Sequence, residues 1–186
     1  MPEFDVQVAM MSLPWMLGTR METIPGEVPY VRVNEMTSEG GKMRVGVCWA
    51  GSANPMARHR GMAGEMIRKL EEVEDVEFWS LQKERVGQLP MAMVDPMGEV
   101  KDFADTAQVL AKLDLLISVD TAVAHLAGAM GKKTWVLLPS VADWRWFVDR
   151  EDSPWYPTMK LYRQKARGDW AEVIQRIARD LQQSRK

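Results

Sequence analysis

The sequence predicts an α/β fold, a parallel sheet flanked by helices, on three observations. From Met43 onward, apolar segments of strand length alternate with segments of helical spacing, the order that a parallel sheet with crossover helices requires. Leu115, Leu116, Ile117 and Val119 form a short apolar run of the kind buried on both faces of a parallel sheet. Ser118 to Gly128 then leads from that strand straight into a helix with Asp120, Thr121 and His125 at its start.

The elements follow in order. Residues 1–42 read as an appendage: Pro2, Pro14, Pro25 and Pro29 punctuate them, and Thr37-Ser38-Glu39-Gly40-Gly41 closes them as a turn or linker. Residues 43–186 read as the domain proper. It opens with a strand over Met43 to Trp49, a helix over Met62 to Glu72 and a strand over Val76 to Leu81. A short strand near Met93 and a helix over Thr106 to Leu113, capped by Asp105, come next. After the strand Leu115 to Val119, a helix over Thr121 to Met130 ends at Gly131, and Thr134 to Leu138 forms another strand. Trp144, Trp146, Phe147, Trp155, Tyr156 and Pro157 crowd a long irregular connection, either anchored on the sheet or serving as a stacking platform for a ligand. The final helix runs from Asp169 to Gln183, with Trp170, Val173, Ile174, Ile177 and Leu181 spaced to face the core.

Composition narrows the class. The chain has 186 residues, 46% of them hydrophobic, enough for a well-buried core. A net charge of −2 and a pI near 5.8 argue against a nucleic-acid binder that relies on a general basic field. The single cysteine, Cys48, excludes an internal disulfide, reads as a reduced strand residue, and leaves no Cys2His2-type zinc spacing. Pro14 and Gly18 interrupt the apolar residues near the N-terminus and no run approaches membrane-spanning length, so the reading is a cytoplasmic protein without a membrane span. Most of the fifteen methionines are accounted for as gap-fillers of the core.

The richest motif is the strand-to-helix turn at Asp120-Thr121-Ala122. As N-cap, Thr121 leaves the first N–H groups of the helix near the C-terminal edge of the sheet, where open α/β sheets bind ligands and helix dipoles favour anions. His125 lies one turn after Thr121 on the same helix face, so the pair either holds a phosphate or ribose from one side or serves a local cap. A polar loop, Gly51 to Gly61, follows the first strand. Its Arg58 and Arg60 suit bidentate contact with a diphosphate, or form a solvated basic loop. Two signals are decoys: Gly128 to Thr134 follows a helix and precedes a strand, the reverse of a phosphate loop, and no G-x-G-x-x-G supports a nicotinamide or flavin. No G-x-S-x-G elbow is present either.

Five blocks carry a family resemblance: Val45 to Gly51, Phe78 to Lys83, Asp102 to Ala107, Ser118 to Gly128, and Asp143 to Trp146 continued by Asp152 to Pro157. Together they resemble the C-terminal region of bacterial tetratricopeptide-repeat proteins. That region is similar to glycosyltransferase family 9, the heptosyltransferases, and more distantly to O-linked N-acetylglucosamine transferase. The resemblance implies a GT-B architecture, with Met43 onward as the Rossmann-like half that binds a nucleotide diphosphate sugar. Residues Phe4 to Val33 look like the tail of the preceding half, most of which lies outside the chain. The resemblance implies that Asp120, Thr121 and Ala122 meet the donor diphosphate or ribose, supported by His125, with Arg60 on a phosphate. Gln82, Lys83 and Phe103 border the nucleotide pocket. At Arg60-Gly61 the family pattern has a Ser after the Arg.

No metal or cofactor beyond the donor substrate is implied. The catalytic base of such enzymes comes from the other half, so none is nominated here, and the isolated chain is expected to bind a donor without transferring it. Two other readings stand beside it: a non-catalytic nucleotide-sugar module, and a structural interaction domain. Self-association or partner binding through residues 4–33 fits all three, given Val6, Val8, Met10, Met11, Leu13, Trp15 and Leu17.

Overall fold

Five strands pair in parallel: β1 (Met43–Cys48), β2 (Val76–Ser80), β3 (Leu115–Val119), β4 (Thr134–Leu138) and β5 (Met159–Arg163), in the order β2-β1-β3-β4-β5. A computed structural model describes residues 3, 5–33, 41–51, 60–83 and 88–184. The register sets Val45 against Phe78 on one side and Leu115 on the other, then Ile117 against Trp135 and Leu137 against Tyr162. Every residue of β3 and β4 is buried, which is why both are apolar at every position but Ser118 and Thr134.

The two faces carry separate cores. Val45, Val47, Leu115, Ile117, Val119, Trp135 and Leu137 pack against helix α4 (Trp170–Gln183) and a 3-10 helix over Gly64–Glu72. The expected α-helix at Met62 is thus a 3-10 helix from Gly64. Ile67, Leu70 and Val73 recur every three residues, the period of a 3-10 turn, and all three are buried. On the opposite face Leu116 meets Leu110 and Ala127, from α2 (Phe103–Ala111) and α3 (Ala122–Ala129).

The strand boundaries follow the sequence reading closely, with β3 and β4 matching it residue for residue. α3 begins where Thr121 caps it and is closed by Gly131 at φ +69°. α2 differs. Its cap is Asp102, which accepts the N–H groups of Ala104 (2.8 Å) and Asp105 (3.0 Å), and not Asp105. Asp105 instead reaches back to accept the Lys101 N–H at 2.9 Å, so the helix starts three residues earlier than expected. The strand near Met93 is a single bridge from Trp79 to Val94. β5, for which the sequence reading has no strand, is an edge strand.

Residues 5–33 lie against the sheet domain through a few contacts and include the short helix α1 (Leu13–Met16). The N–H groups of Tyr30 and Val31 both donate to the Ala129 carbonyl, at 2.9 and 3.1 Å. Gly26 sits so close to the Pro154 carbonyl oxygen that a Cβ there would collide with it. Among the described residues no helix is long and apolar enough to cross a membrane.

Candidate functional site

The strand order reverses direction between β1 and β3, and in open α/β sheets the crevice beyond the carboxyl ends of two such strands takes the ligand. A cleft of about 270 Å³ opens there. Cys48 to Gly51 from the end of β1, Gln82 and Lys83 from the end of β2, and Thr121 to Val123 from the first turn of α3 line it, with Met97, Val100 and Phe103 across from them. The walls are largely apolar, with polar side chains from three sides, Gln82 and Lys83, Lys101, Asp102 and Thr106, and Thr121, a composition that suits a mostly apolar ring carrying polar groups. Phe103 stands at the rim, 59% exposed.

The polar frame of this cleft is tied together by its own residues. Gln82 is buried, with its amide clamped on Ala50: the Ala50 N–H donates to Oε1 and Nε2 donates to the Ala50 carbonyl, both at 3.0 Å. Gln82 therefore borders the cleft as expected but shapes the turn after β1 with both amide atoms. Lys83 Nζ donates to the Val100 carbonyl and bridges two walls. The Ser118 and Thr121 hydroxyls lie 2.9 Å apart, and Thr121 Oγ1 accepts the Ala124 N–H at 3.4 Å as the helix cap. Burial pushes the Cys48 thiol up to about 11, against the weaker opposing effects of Thr121, Ser118 and the Ala50 backbone, so it is a neutral wall group.

Beside the cleft lies a charged cluster centred on Asp120, which follows β3 and is 7% exposed. Arg60 Nη1 stands 3.3 Å from one carboxylate oxygen and His125 Nε2 3.5 Å from the other. Burial alone would push the Asp120 carboxyl up, but His125, Trp146 and Arg60 together outweigh it and hold it below the usual carboxylate range. Arg60 also approaches Asp143 at 3.7 Å, and Asp143 pairs in turn with Arg145 at 2.7 Å. Arg60 remains about one-third exposed, open to a further anion.

His125 and Thr121, expected to act from one helix face, do not converge. The buried Asp120 carboxylate needs a compensating donor and draws Nε2, while Nδ1 faces the Tyr156 hydroxyl at 3.2 Å and the ring stacks on Trp146, 5.2 Å between centroids. Thr121 is instead turned to Ser118 and its own helix. Ala122 is exposed at the mouth of the cleft. Asp120, Thr121, Ala122, His125, Arg60, Gln82, Lys83 and Phe103 thus gather around one sheet edge; Arg58, within 52–59, lies outside the described residues.

Two participants escaped the sequence reading, Asp143 and Trp146. Trp146 is fully buried and backs His125. The signal for them was the density of charge and aromatic rings in Asp143-Trp144-Arg145-Trp146. Beyond His125, the same connection and residues 25–30 enclose a second cleft of about 180 Å³. Among the described residues no group of three or more His, Cys, Asp or Glu side chains is placed to hold a metal ion.

Residues 84–138 match the model of glycosyltransferase family 9 (heptosyltransferase), a stretch that includes α2, β3, α3 and β4. The fold is similar to that of E. coli ADP-heptose lps heptosyltransferase II, with a TM-score of 0.52 and 13% identity over 80% of this chain and 49% of that one. The iron-containing dodecameric glycosyltransferase TibC of enterotoxigenic E. coli H10407 superposes with a TM-score of 0.49 and 14% identity, over 83% of this chain and 48% of that one. The chain spans about half the length of both. No curated protein sequence matches it.

Proposed function

We propose that this chain is the donor-binding half of a GT-B-type glycosyltransferase, holding a nucleotide diphosphate sugar at the β1–β3 edge. The observation that carries the reading is the junction of an apolar cleft, the first turn of α3 and an Arg60 guanidinium at one end of the sheet. The nucleoside occupies the apolar cleft, against Val100 and Phe103. The diphosphate meets the N–H groups at Thr121 and Ala122, where the helix dipole favours negative charge, and Arg60, which carries donors beyond those facing Asp120 and Asp143. The match of residues 84–138 to glycosyltransferase family 9 supports it.

In transfer, an acceptor hydroxyl oxygen bonds to the anomeric carbon as the carbon–oxygen bond to the diphosphate breaks. The electron pair leaves on the phosphate oxygen, and the acceptor proton goes to a base. This chain's share is the departing diphosphate: fixed N–H groups and Arg60 are aimed where negative charge grows. Asp120 holds Arg60 and His125 in register. The base and acceptor site belong to a second half, a reading supported by the chain's spanning about half the length of heptosyltransferase II. Without that half the acceptor has no position, and transfer is expected to be absent. A cytoplasmic location, and a partner or second copy over the exposed side chains of residues 5–33, belong to the same reading.

Calorimetry with UDP, ADP, GDP, UDP-N-acetylglucosamine and ADP-heptose tests it. One nucleotide is expected to bind; Arg60→Ala is expected to weaken it by about tenfold or more, the loss of a hydrogen bond to a charged group, and Thr121→Ala by less, because it keeps the backbone N–H and removes only the cap that fixes the first turn of α3. A folded protein silent to the whole panel would overturn the reading.

A further inference from the structure

The second cleft has an unusual wall. Trp144 is 54% exposed and Tyr30 62%, while Trp146 alone among the tryptophans of this connection is fully buried and does the packing. The exposed rings are nonetheless held in place. Trp155 Nε1 donates to the Arg145 carbonyl at 3.1 Å, and Trp144 meets Trp155 edge to face with centroids 6.3 Å apart. The Arg145 guanidinium lies 4.7 Å from the Trp144 ring centroid and is fixed by Asp143. On the other side Gly128 lies so near the Tyr156 ring that a Cβ would overlap it, which seats Tyr156 directly on α3. Polar groups border the rings: the Tyr156 hydroxyl, His125 and Arg145.

Rigid, partly exposed ring faces bordered by donors suit a ligand that is apolar across its face and polar around its edge. A sugar ring has that form, with axial C–H bonds on a face and hydroxyls at the rim, and about 180 Å³ is the scale of a single ring. We propose that the aromatic cleft between residues 25–30 and the Trp144–Tyr156 connection is a second binding site, for one sugar ring, distinct from the β1–β3 cleft. The choice of a sugar rests on the glycosyl-transfer reading. His125 joins the two sites, with Tyr156 on Nδ1 and Asp120 facing Nε2. The ring is either the glycosyl group of the donor or part of a saccharide acceptor.

Saturation-transfer NMR on the full chain separates these sources and tests the site. The probes are methyl glucopyranoside, methyl N-acetylglucosaminide, UDP, ADP, UDP-N-acetylglucosamine and ADP-heptose. Sugar-proton signals are expected that vanish in Trp144→Ala and Trp155→Ala and return in Trp144→Phe; those from the methyl glycosides also survive in Thr121→Ala. Signals from the methyl glycosides that persist under saturating nucleoside diphosphate support an acceptor sugar. Signals from the sugar protons of the nucleotide sugars alone, lost in Trp144→Ala while the nucleotide protons stay saturated, support a donor sugar.

Nucleotide signals with no sugar signal from any probe would overturn the cleft proposal and leave the proposed function standing. Sugar signals without nucleotide signals would do the reverse. Sugar signals unmoved by either tryptophan variant, or methyl-glycoside signals displaced by free adenosine or uridine, would also overturn the cleft proposal. Circular dichroism of each variant verifies the fold.

Discussion

A carboxylate with 7% exposure survives at Asp120 because three groups on three separate segments face it; Arg60 and His125 were legible as site residues in the sequence, while Trp146's part and the meeting of all three were not. Asp120 and His125 are five residues apart, but Arg60 and Trp146 reach them only through the sheet order, so single-chain spacing held no trace of the cluster. Of the two readings of Thr121 and His125, a shared ligand or a local cap, the spacing could not choose: helical spacing puts two side chains on one face, and the contacts across the fold, Asp120 and Tyr156 for His125 and Ser118 for Thr121, decide where they turn. Asp120→Asn removes the charge at nearly constant shape and leaves Arg60 and His125 without their counter-ion, so we expect a loss of about 1–3 kcal/mol in urea unfolding at pH 7. The sign of its pH dependence follows from the lowered native pKa. The contribution is full above the ordinary value of 3.8 and is lost as pH falls below it, so wild type and variant should converge there and stay apart from pH 5 to 7. Equal stabilities at pH 7 would mean that the cluster contributes nothing net.

Elements were readable where one signal dominated. β3 and β4 are buried throughout and apolar but for Ser118 and Thr134, and α3 has a cap at Thr121 and a stop at Gly131, so their limits were legible in the sequence. β5 escaped because Met159-Lys160-Leu161-Tyr162-Arg163 mixes buried with half-buried positions at the sheet edge and follows a proline-rich aromatic stretch. α2 shows how a cap is misassigned when two aspartates compete. Asp102 accepts two N–H groups of the first turn, whereas Asp105 accepts one from Lys101 before the helix. Asp102→Ala should therefore cost about 0.5–2 kcal/mol and Asp105→Ala clearly less, measured by thermal or urea unfolding. The reverse order would restore the start at Thr106. Because Phe103 on the cleft rim is the first residue of α2, fraying at Asp102→Ala should also weaken nucleotide binding.

At the scale of the whole molecule, the sheet domain is closed on both faces while residues 5–33 are not: Val6, Met10, Met11, Trp15 and Leu17 are each 71–84% exposed. So much apolar surface on one segment argues for a partner. Size-exclusion chromatography over a range of concentrations should give an apparent mass that rises with concentration and falls to the monomer in Met10→Glu/Trp15→Glu; a monomer at every concentration would count against self-association. The sheet has a further consequence, in time rather than in space. All four pairings are parallel, so no strand has a hairpin neighbour to zip with, and the Arg44 N–H bond to Asp114 joins residues 70 apart in the chain. Loops of that size must close before the central pair β1–β3 gains anything from closing them. The chain is therefore a slow folder by topology, in the milliseconds-to-seconds range rather than microseconds, and β1 waits on a ribosome for β3 to be made.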